Sequence, residues 1–377
     1  IDPVALAELV REAEASGSTA LVVLHDGRRI GEWYFGGCSE PTEMMSATKS
    51  IVALAIELLI EDGRLESLDE PVWKLFPEWN QGQKQKITVR HLLSQTSGLQ
   101  AQRDTREVYQ SPDFVRLALA DELSDPPGTR FFYNNKAVNL LAGVAERACG
   151  KKLDDYLAER LFAPLGIRDF GWSHDGAGNP HAMSGLRLHA VDAAKIGQFL
   201  LDEGVWQGRR LLAAERVREL TSAPSQRFVP DHGLLFWRIY EHTEMDLPQD
   251  LMDSLVKAGF PAELAQKLAG FTRPGMGASA FYSELKKRLN ESERAQFWEA
   301  AVASGVVVKD VPGGRVVGFA ARGYLGQYLV VLPSQRIVAV RFSNSAGASA
   351  GDIDFDGFED RVRALVPPSP GRARSGS

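Results

Sequence analysis

Apolar positions are densest at Ile51, Val52, Ala53, Leu54, Ala55, Ile56, Leu58, Leu59 and Ile60, a run interrupted only by Glu57. A helix that is apolar nearly all round lies inside a protein, so this stretch predicts a central buried helix. Upstream, residues 3–15 have the spacing of an amphipathic helix with Pro3 near its first turn. Residues 19–25 and 29–35 read as two strands joined at Asp26-Gly27, a hairpin signal. From Asp62-Gly63 to about residue 215 the pattern is mostly helical, with loops at Pro77, Pro126-Pro127-Gly128 and Pro164-Leu165-Gly166. Strand patterns return at 233–240, 315–321, 324–332 and 336–342, and a last helix is predicted over 353–365. The first and last strands would then share one antiparallel sheet flanked by the terminal helices. This is an α+β architecture whose helical middle forms a second lobe.

The boundaries predicted are an α/β lobe at about 1–45 and 230–366 and a helical lobe at about 46–229. Residues 242–309 break the strand rhythm with four helical patterns, at 250–257, 262–268, 280–289 and 291–303. That is too long for a hairpin loop, so a helical insertion is expected. Both its ends adjoin strands, and it reads as a lid with Phe271, Phe281 and Tyr282 as exposed-looking aromatics among the hinge-capable glycines Gly275 and Gly277. Read outward, the same segment would be a dimer surface, which leaves a homodimer open. The Pro/Gly/Ser/Arg tail at 367–377 is predicted to be disordered.

Composition narrows the classes of function. The 377 residues are enough for one large domain or two lobes around a shared core, and 44% hydrophobic with 24% charged residues is ordinary for a globular chain. A net charge of −6 with no Lys/Arg cluster argues against nucleic acid as a partner. No apolar run reaches the roughly 18 residues that a membrane span needs. Two cysteines, Cys38 and Cys149, cannot make a disulfide scaffold or a cysteine-rich metal site. The first residue is Ile1 rather than methionine, which reads as trimming or processing. That leaves the compartment open between the bacterial cytoplasm and a periplasmic or secreted location.

Chemistry enters at the head of the apolar run. Ser46 and Lys49 stand three residues apart in Met44-Met45-Ser46-Ala47-Thr48-Lys49-Ser50, on one face of the predicted helix and in the positive field of its N-terminus. Ser-x-x-Lys also occurs at Ser254/Lys257 and Ser283/Lys286, but in polar, amphipathic stretches that read as solvated faces. Tyr133-Asn134-Asn135 follows a turn and two phenylalanines, a setting in which a phenol and an amide can be aimed at one cavity. A rival serine lies in Gly347-Ala348-Ser349-Ala350-Gly351, which fits a nucleophile elbow. That mechanism needs a histidine after the serine, and the last one here is His242, so the segment reads as a small-residue loop. The seven histidines show no metal-ligand spacing, and His91 reads as a structural residue. No P-loop or dinucleotide fingerprint appears, so no cofactor is expected. Ala321-Arg322-Gly323-Tyr324 joins two strands, with a glycine that permits close backbone approach.

Taken together, these residues resemble the serine β-lactamase and penicillin-binding protein superfamily, above all its class C-like branch of esterases, 6-aminohexanoate-dimer hydrolases and D,D-peptidases. Ser46-Ala47-Thr48-Lys49 looks like the first motif and Tyr133-Asn134-Asn135 like the second. The stretches 87–99, 161–166 and 185–188 are similar too, and the likeness covers roughly 15–240 and 314–365. It implies a β-lactamase/transpeptidase-like fold with the active site between the lobes. It also implies a serine hydrolase that cleaves an ester or amide through an acyl-enzyme on Ser46. Lys49 and Tyr133 would serve as general base and acid, Asn135 would orient the acyl group, and the backbone N–H groups of Ser46 and of Tyr324, after the motif glycine Gly323, would hold the oxyanion. The third motif departs from the family: Ala321 stands where Lys or His is usual, and Arg322 is the nearest cation to substitute. The other readings are a D,D-peptidase or β-lactamase acting on peptidoglycan-type or β-lactam substrates, and a sensor that acylates without turnover. The substrate would in every case be a small ester, amide or peptide-like molecule.

Overall fold

The computed structural model describes residues 1–37, 39–101, 105–222, 225–246, 248, 250–268, 270, 276–304, 309–344, 355 and 357–367. The 347–351 serine loop, the tail beyond 367 and the insertion's Phe271 and Gly275 lie outside the described residues. The described residues of Ile1–Ile239, Val317–Asp354 and Glu359–Ser377 form one compact unit, and those of Tyr240–Val316 and Phe355–Phe358 form another.

Helix α1 (Pro3–Ala15) begins where the Asp2 carboxylate accepts the N–H groups of Val4 and Ala5. Strands β1 (Ser18–His25) and β2 (Arg28–Tyr34) form the predicted hairpin, and Asp26 and Gly27 both take positive φ at its tip. Helix α2 (Thr48–Glu61) is the central helix, with every residue from Thr48 to Ile60 buried. Helices α3 (Asn135–Cys149) and α4 (Ala190–Leu201) follow in the helical region. Strands β3 (Trp237–Asp246), β4 (Lys309–Gly323), β5 (Gln327–Leu332) and β6 (Ile337–Ser343) complete the sheet, and α5 (Phe358–Ala364) is the last helix. The six strands lie in the order β2-β1-β6-β5-β4-β3. The pairs β2/β1, β1/β6, β6/β5 and β5/β4 are antiparallel.

The central strands read as unbroken apolar runs because both faces are covered. Val22, Leu329, Val331, Val338 and Val340 join the main core, while Leu21, Val23, Val330 and Ala339 alternate to the other face and are equally buried. Gly197 lets α4 lie against the sheet: a Cβ there would stand 2.5 Å from Val338 and 2.7 Å from Leu329. The terminal helices meet through Arg361 and Glu12, 2.9 Å apart, and through the Asp2 N–H donating to the Leu365 carbonyl at 2.7 Å.

Several boundaries differ from expectation. The strand expected at 233–240 runs over Trp237–Asp246, because Leu235 takes a left-handed φ of 61° and turns the chain first. The strand expected at 315–321 starts six residues earlier, and the final helix is the shorter Phe358–Ala364. A small sheet of Thr42–Glu43, Leu186–Leu188 and Phe170–Trp172 was not expected, since strands of two or three residues carry no readable period. In the second unit, the helices Leu251–Lys257, Ala262–Lys267, Ala278–Arg288 and Glu291–Ser304 bury Leu255, Phe260, Leu268, Phe281 and Phe297 in a core of their own. Phe281 is therefore a core residue and not an exposed aromatic. Among the described residues, no helix is long and apolar enough to cross a membrane.

Candidate active site

Ser46 does not begin the central helix. It sits on a single 3-10 turn, Met45–Ala47, which leads into α2. Met45 holds a left-handed φ of 49°, unusual for a side chain of its kind, and so throws the next residue out of the chain's path. The start of the helix is pinned on both sides. The Thr48 hydroxyl accepts the Leu186 N–H at 3.3 Å, and the Ser50 hydroxyl donates to the Leu235 carbonyl at 2.6 Å.

One turn on, Lys49 is buried, with Nζ 3.0 Å from Ser46 Oγ and donating to the Met183 carbonyl at 2.7 Å. Burial in this largely apolar setting brings its pKa down from 10.5 to about 7. A substantial fraction of the amine is then neutral at neutral pH, with a lone pair available to the serine hydroxyl. Met183 is itself set by Asn139 on α3, whose Oδ1 accepts the Met183 N–H at 2.8 Å.

Tyr133 ends the loop before α3. Its ring lies 5.0 Å from Lys49 Nζ, and burial raises the phenol's pKa, with a hydrogen bond from Ser46 pulling the other way. The phenol is held by its neighbour Asn134, the N-cap of α3. Asn134 Oδ1 accepts the Ala137 N–H at 3.1 Å, and its Nδ2 donates to the carbonyls of Leu99 and Gln100. Gln95, with φ of 61°, completes the clamp: its side chain accepts the Asn134 N–H and its carbonyl accepts the Phe132 N–H. Asn135 occupies the first turn of α3, with a buried Oδ1 that has no hydrogen-bond partner among the described residues.

Gly323 ends β4 against the serine turn. A Cβ there would lie 2.3 Å from the Met44 carbonyl oxygen and 3.1 Å from the Ala47 nitrogen, so only glycine lets the strand come this close. Tyr324 follows, its side chain exposed. The structure thus brings Ser46, Lys49, Tyr133 and the Gly323 backbone together. Arg322 does not join them, because it makes a bidentate pair with Glu359 at 2.7 and 2.8 Å and covers the Trp237 ring.

Sequence reasoning missed the residues that act by holding others. Gln95 and Asn139 are among them, as is His232, whose buried ring packs edge-on against Phe131, Tyr133 and Trp237. Burial holds His232 neutral, with its pKa lowered to about 3. His91 accepts the Thr88 N–H through Nδ1 and caps a short helix, a structural role. Among the described residues, no group of three or more His, Cys, Asp or Glu is placed to hold a metal.

The sequence is 28% identical over 154 residues to the Protein flp of Staphylococcus aureus (strain MW2), covering 39% of this chain and 31% of that protein. It is 34% identical over 150 residues to Esterase EstB of Burkholderia gladioli, covering 34% of this chain and 38% of that one. The chain thus spans about a third of the length of these relatives. Its fold matches the crystal structure of a Beta-Lactamase/D-Alanine Carboxypeptidase from Pseudomonas syringae, with a TM-score of 0.61 and 15% identity over 97% of this chain and 99% of that one. A model of the β-lactamase family matches residues 6–357. With that match over nearly its whole length and the fold to go with it, the chain belongs to the β-lactamase family.

Proposed function

We propose that the protein hydrolyses an uncharged ester or amide through an acyl-enzyme on Ser46. The observation that carries this reading is the buried Lys49 amine, brought to about 7 and 3.0 Å from Ser46 Oγ. Neutral Lys49 takes the serine proton as Oγ attacks the carbonyl carbon. The negative charge that develops on the carbonyl oxygen is met by the N–H groups of Ser46 and Tyr324, in the gap that Gly323 leaves. Tyr133, kept protonated by burial, gives its proton to the leaving group and takes one back from Lys49, which restores both, and Asn135 orients the acyl side. Water then cleaves the acyl-enzyme and Ser46 recovers its proton.

The choice of an uncharged substrate has separate support. Where the family resemblance would place recognition of a carboxylate, this chain has the buried Ala321 and an Arg322 already paired with Glu359. The name of the esterase relative points the same way. Fluorophosphonate labelling with intact-mass analysis tests the reading. One adduct is expected, on the peptide containing Ser46, and it should be lost in Ser46→Ala. Steady turnover of a chromogenic ester is expected as well. An adduct on another serine overturns the mechanism, and a single stoichiometric burst makes the protein an acyl-binding sensor instead.

A further inference from the structure

The turn that would supply the second oxyanion donor is strained, and a buried cation stands behind it. Tyr324, Leu325 and Gly326 connect β4 to β5, and Leu325 and Gly326 both take left-handed φ, 69° and 73°. For leucine that conformation is costly and persists only where the surroundings fix it. Arg341, on the neighbouring β6, is fully buried. Its Nη1 donates to the carbonyls of Gly326 at 2.7 Å and Leu325 at 3.2 Å. Its Nε donates to Ser18 Oγ at 2.7 Å on β1, and its Nη2 to the Ser16 carbonyl at 2.8 Å. Ser343, two residues along β6, adds a hydroxyl that donates to the Leu325 carbonyl. Its backbone also exchanges two hydrogen bonds with the side chain of Gln327, the residue paired across the hairpin with Gly323.

We infer that Arg341, with Ser343, is a positioning residue for the oxyanion site: it holds the Leu325–Gly326 carbonyls so that the Tyr324 N–H stays aimed at the space above Ser46. The inference rests on the Ser46 mechanism proposed above. A guanidinium suits the task because its fan of donors spans at least four acceptors on two separate stretches of chain at once, 16–18 and 325–326, which a lysine ammonium cannot do from one point. The residue touches no reacting atom, so its effect should be confined to the donor it orients.

The test compares hydrolysis of an oxoester with that of the matching thionoester, whose sulfur accepts hydrogen bonds poorly and draws little from an oxyanion site. The wild type and the variants Arg341→Met, Arg341→Lys and Ser343→Ala are measured, with thermal unfolding recorded for each. Loss of one oxyanion donor costs about 10²–10³ in kcat, so a misaimed donor in Arg341→Met or Arg341→Lys should lower oxoester kcat by at least about tenfold with KM little changed. Thionoester kcat should fall far less, so the oxo/thiono ratio drops, and Ser343→Ala should show a smaller drop of the same kind. If Arg341→Met does not fold, the other two variants decide. An unchanged ratio, whether or not both activities fall together, makes Arg341 a purely structural residue and overturns the inference. A wild-type protein that takes no label on Ser46 overturns the mechanism and this inference together. A labelled wild type with an unchanged ratio in the variants overturns the inference alone.

Discussion

Replacing Lys49 by methionine separates what the amine does for chemistry from what its burial costs the fold. The two side chains are similar in length, and methionine suits the apolar surroundings. Lys49 titrates near 10.5 when solvated and at about 7 in the folded protein. Between those values the unfolded chain carries a proton on Lys49 that the folded chain does not, so stability rises with pH across that window. The gap of about 3.5 pH units corresponds to about 5 kcal/mol at 1.36 kcal/mol per unit. Most of that burden is present at pH 7 and is relieved as pH climbs towards 10.5. Between pH 7 and pH 9 the wild type should therefore gain about 2 kcal/mol relative to the variant. Urea unfolding of both proteins at the two pH values measures this difference, and titrations common to both cancel. Lys49→Met should be the more stable protein at pH 7 and should have lost ester hydrolysis. Parallel pH dependences in the two proteins would refute the argument, because Lys49 would then be no more depressed when folded than when unfolded.

The rate of acylation should follow the same group: kcat/KM for an activated ester should rise about tenfold per pH unit below pH 7 and level off above it. A limb near 10 instead would mean that the base is elsewhere. Lys49→Arg keeps a charge that cannot be removed, so its activity should fall as far as that of Lys49→Ala, read by the same ester assay. Gly323→Ala forces a Cβ to within 2.3 Å of the Met44 carbonyl, and the displaced strand should lower kcat/KM by about a hundredfold. Wild-type kinetics in that variant would show that the close approach has no part in catalysis. Asn134→Ala removes a helix cap worth about 1 kcal/mol and two further side-chain hydrogen bonds of about 0.5–1.5 kcal/mol each, so urea unfolding should show a loss of about 2–4 kcal/mol. A loss below about 0.5 kcal/mol would contradict the clamp described for Tyr133.

What could be read from the sequence was whatever a local pattern encodes. The run at 51–60 declared a buried helix because nearly every position in it is apolar, and the Ser46/Lys49 spacing needs only helical geometry. Gly323 could be read as a point of close approach, although the Met44 carbonyl on the other side of that approach could not. The 3-10 turn under Ser46 escaped, because the φ of Met45 is imposed by its surroundings and methionine has no preference that would reveal it. The outer halves of β3 and β4 escaped for another reason. Residues 241–246 are mostly polar and 309–314 are glycine- and charge-rich, as a strand near a sheet edge is free to be. Gln95, Asn139 and His232 act through backbone contacts or packing that reach segments up to 101 residues away in the chain, and no short motif records such a partnership. Arg322 was read as a cation open to substrate because its partner Glu359 stands 37 residues further on.

The pairing of β1 with β6 has a consequence for synthesis. Ser18 stands opposite Ser343, so strand β1 waits for a partner more than three hundred residues further along the chain. On the ribosome the N-terminal hairpin must persist with one edge open while more than three hundred residues emerge, an order of contacts that slows folding and exposes an aggregation-prone strand. Ser46, the proposed nucleophile, is made early and the strand that comes to rest against its turn, ending at Gly323, is made late. Under the proposed Ser46 mechanism, activity is expected only once the Gly323 end of β4 has packed against the serine turn.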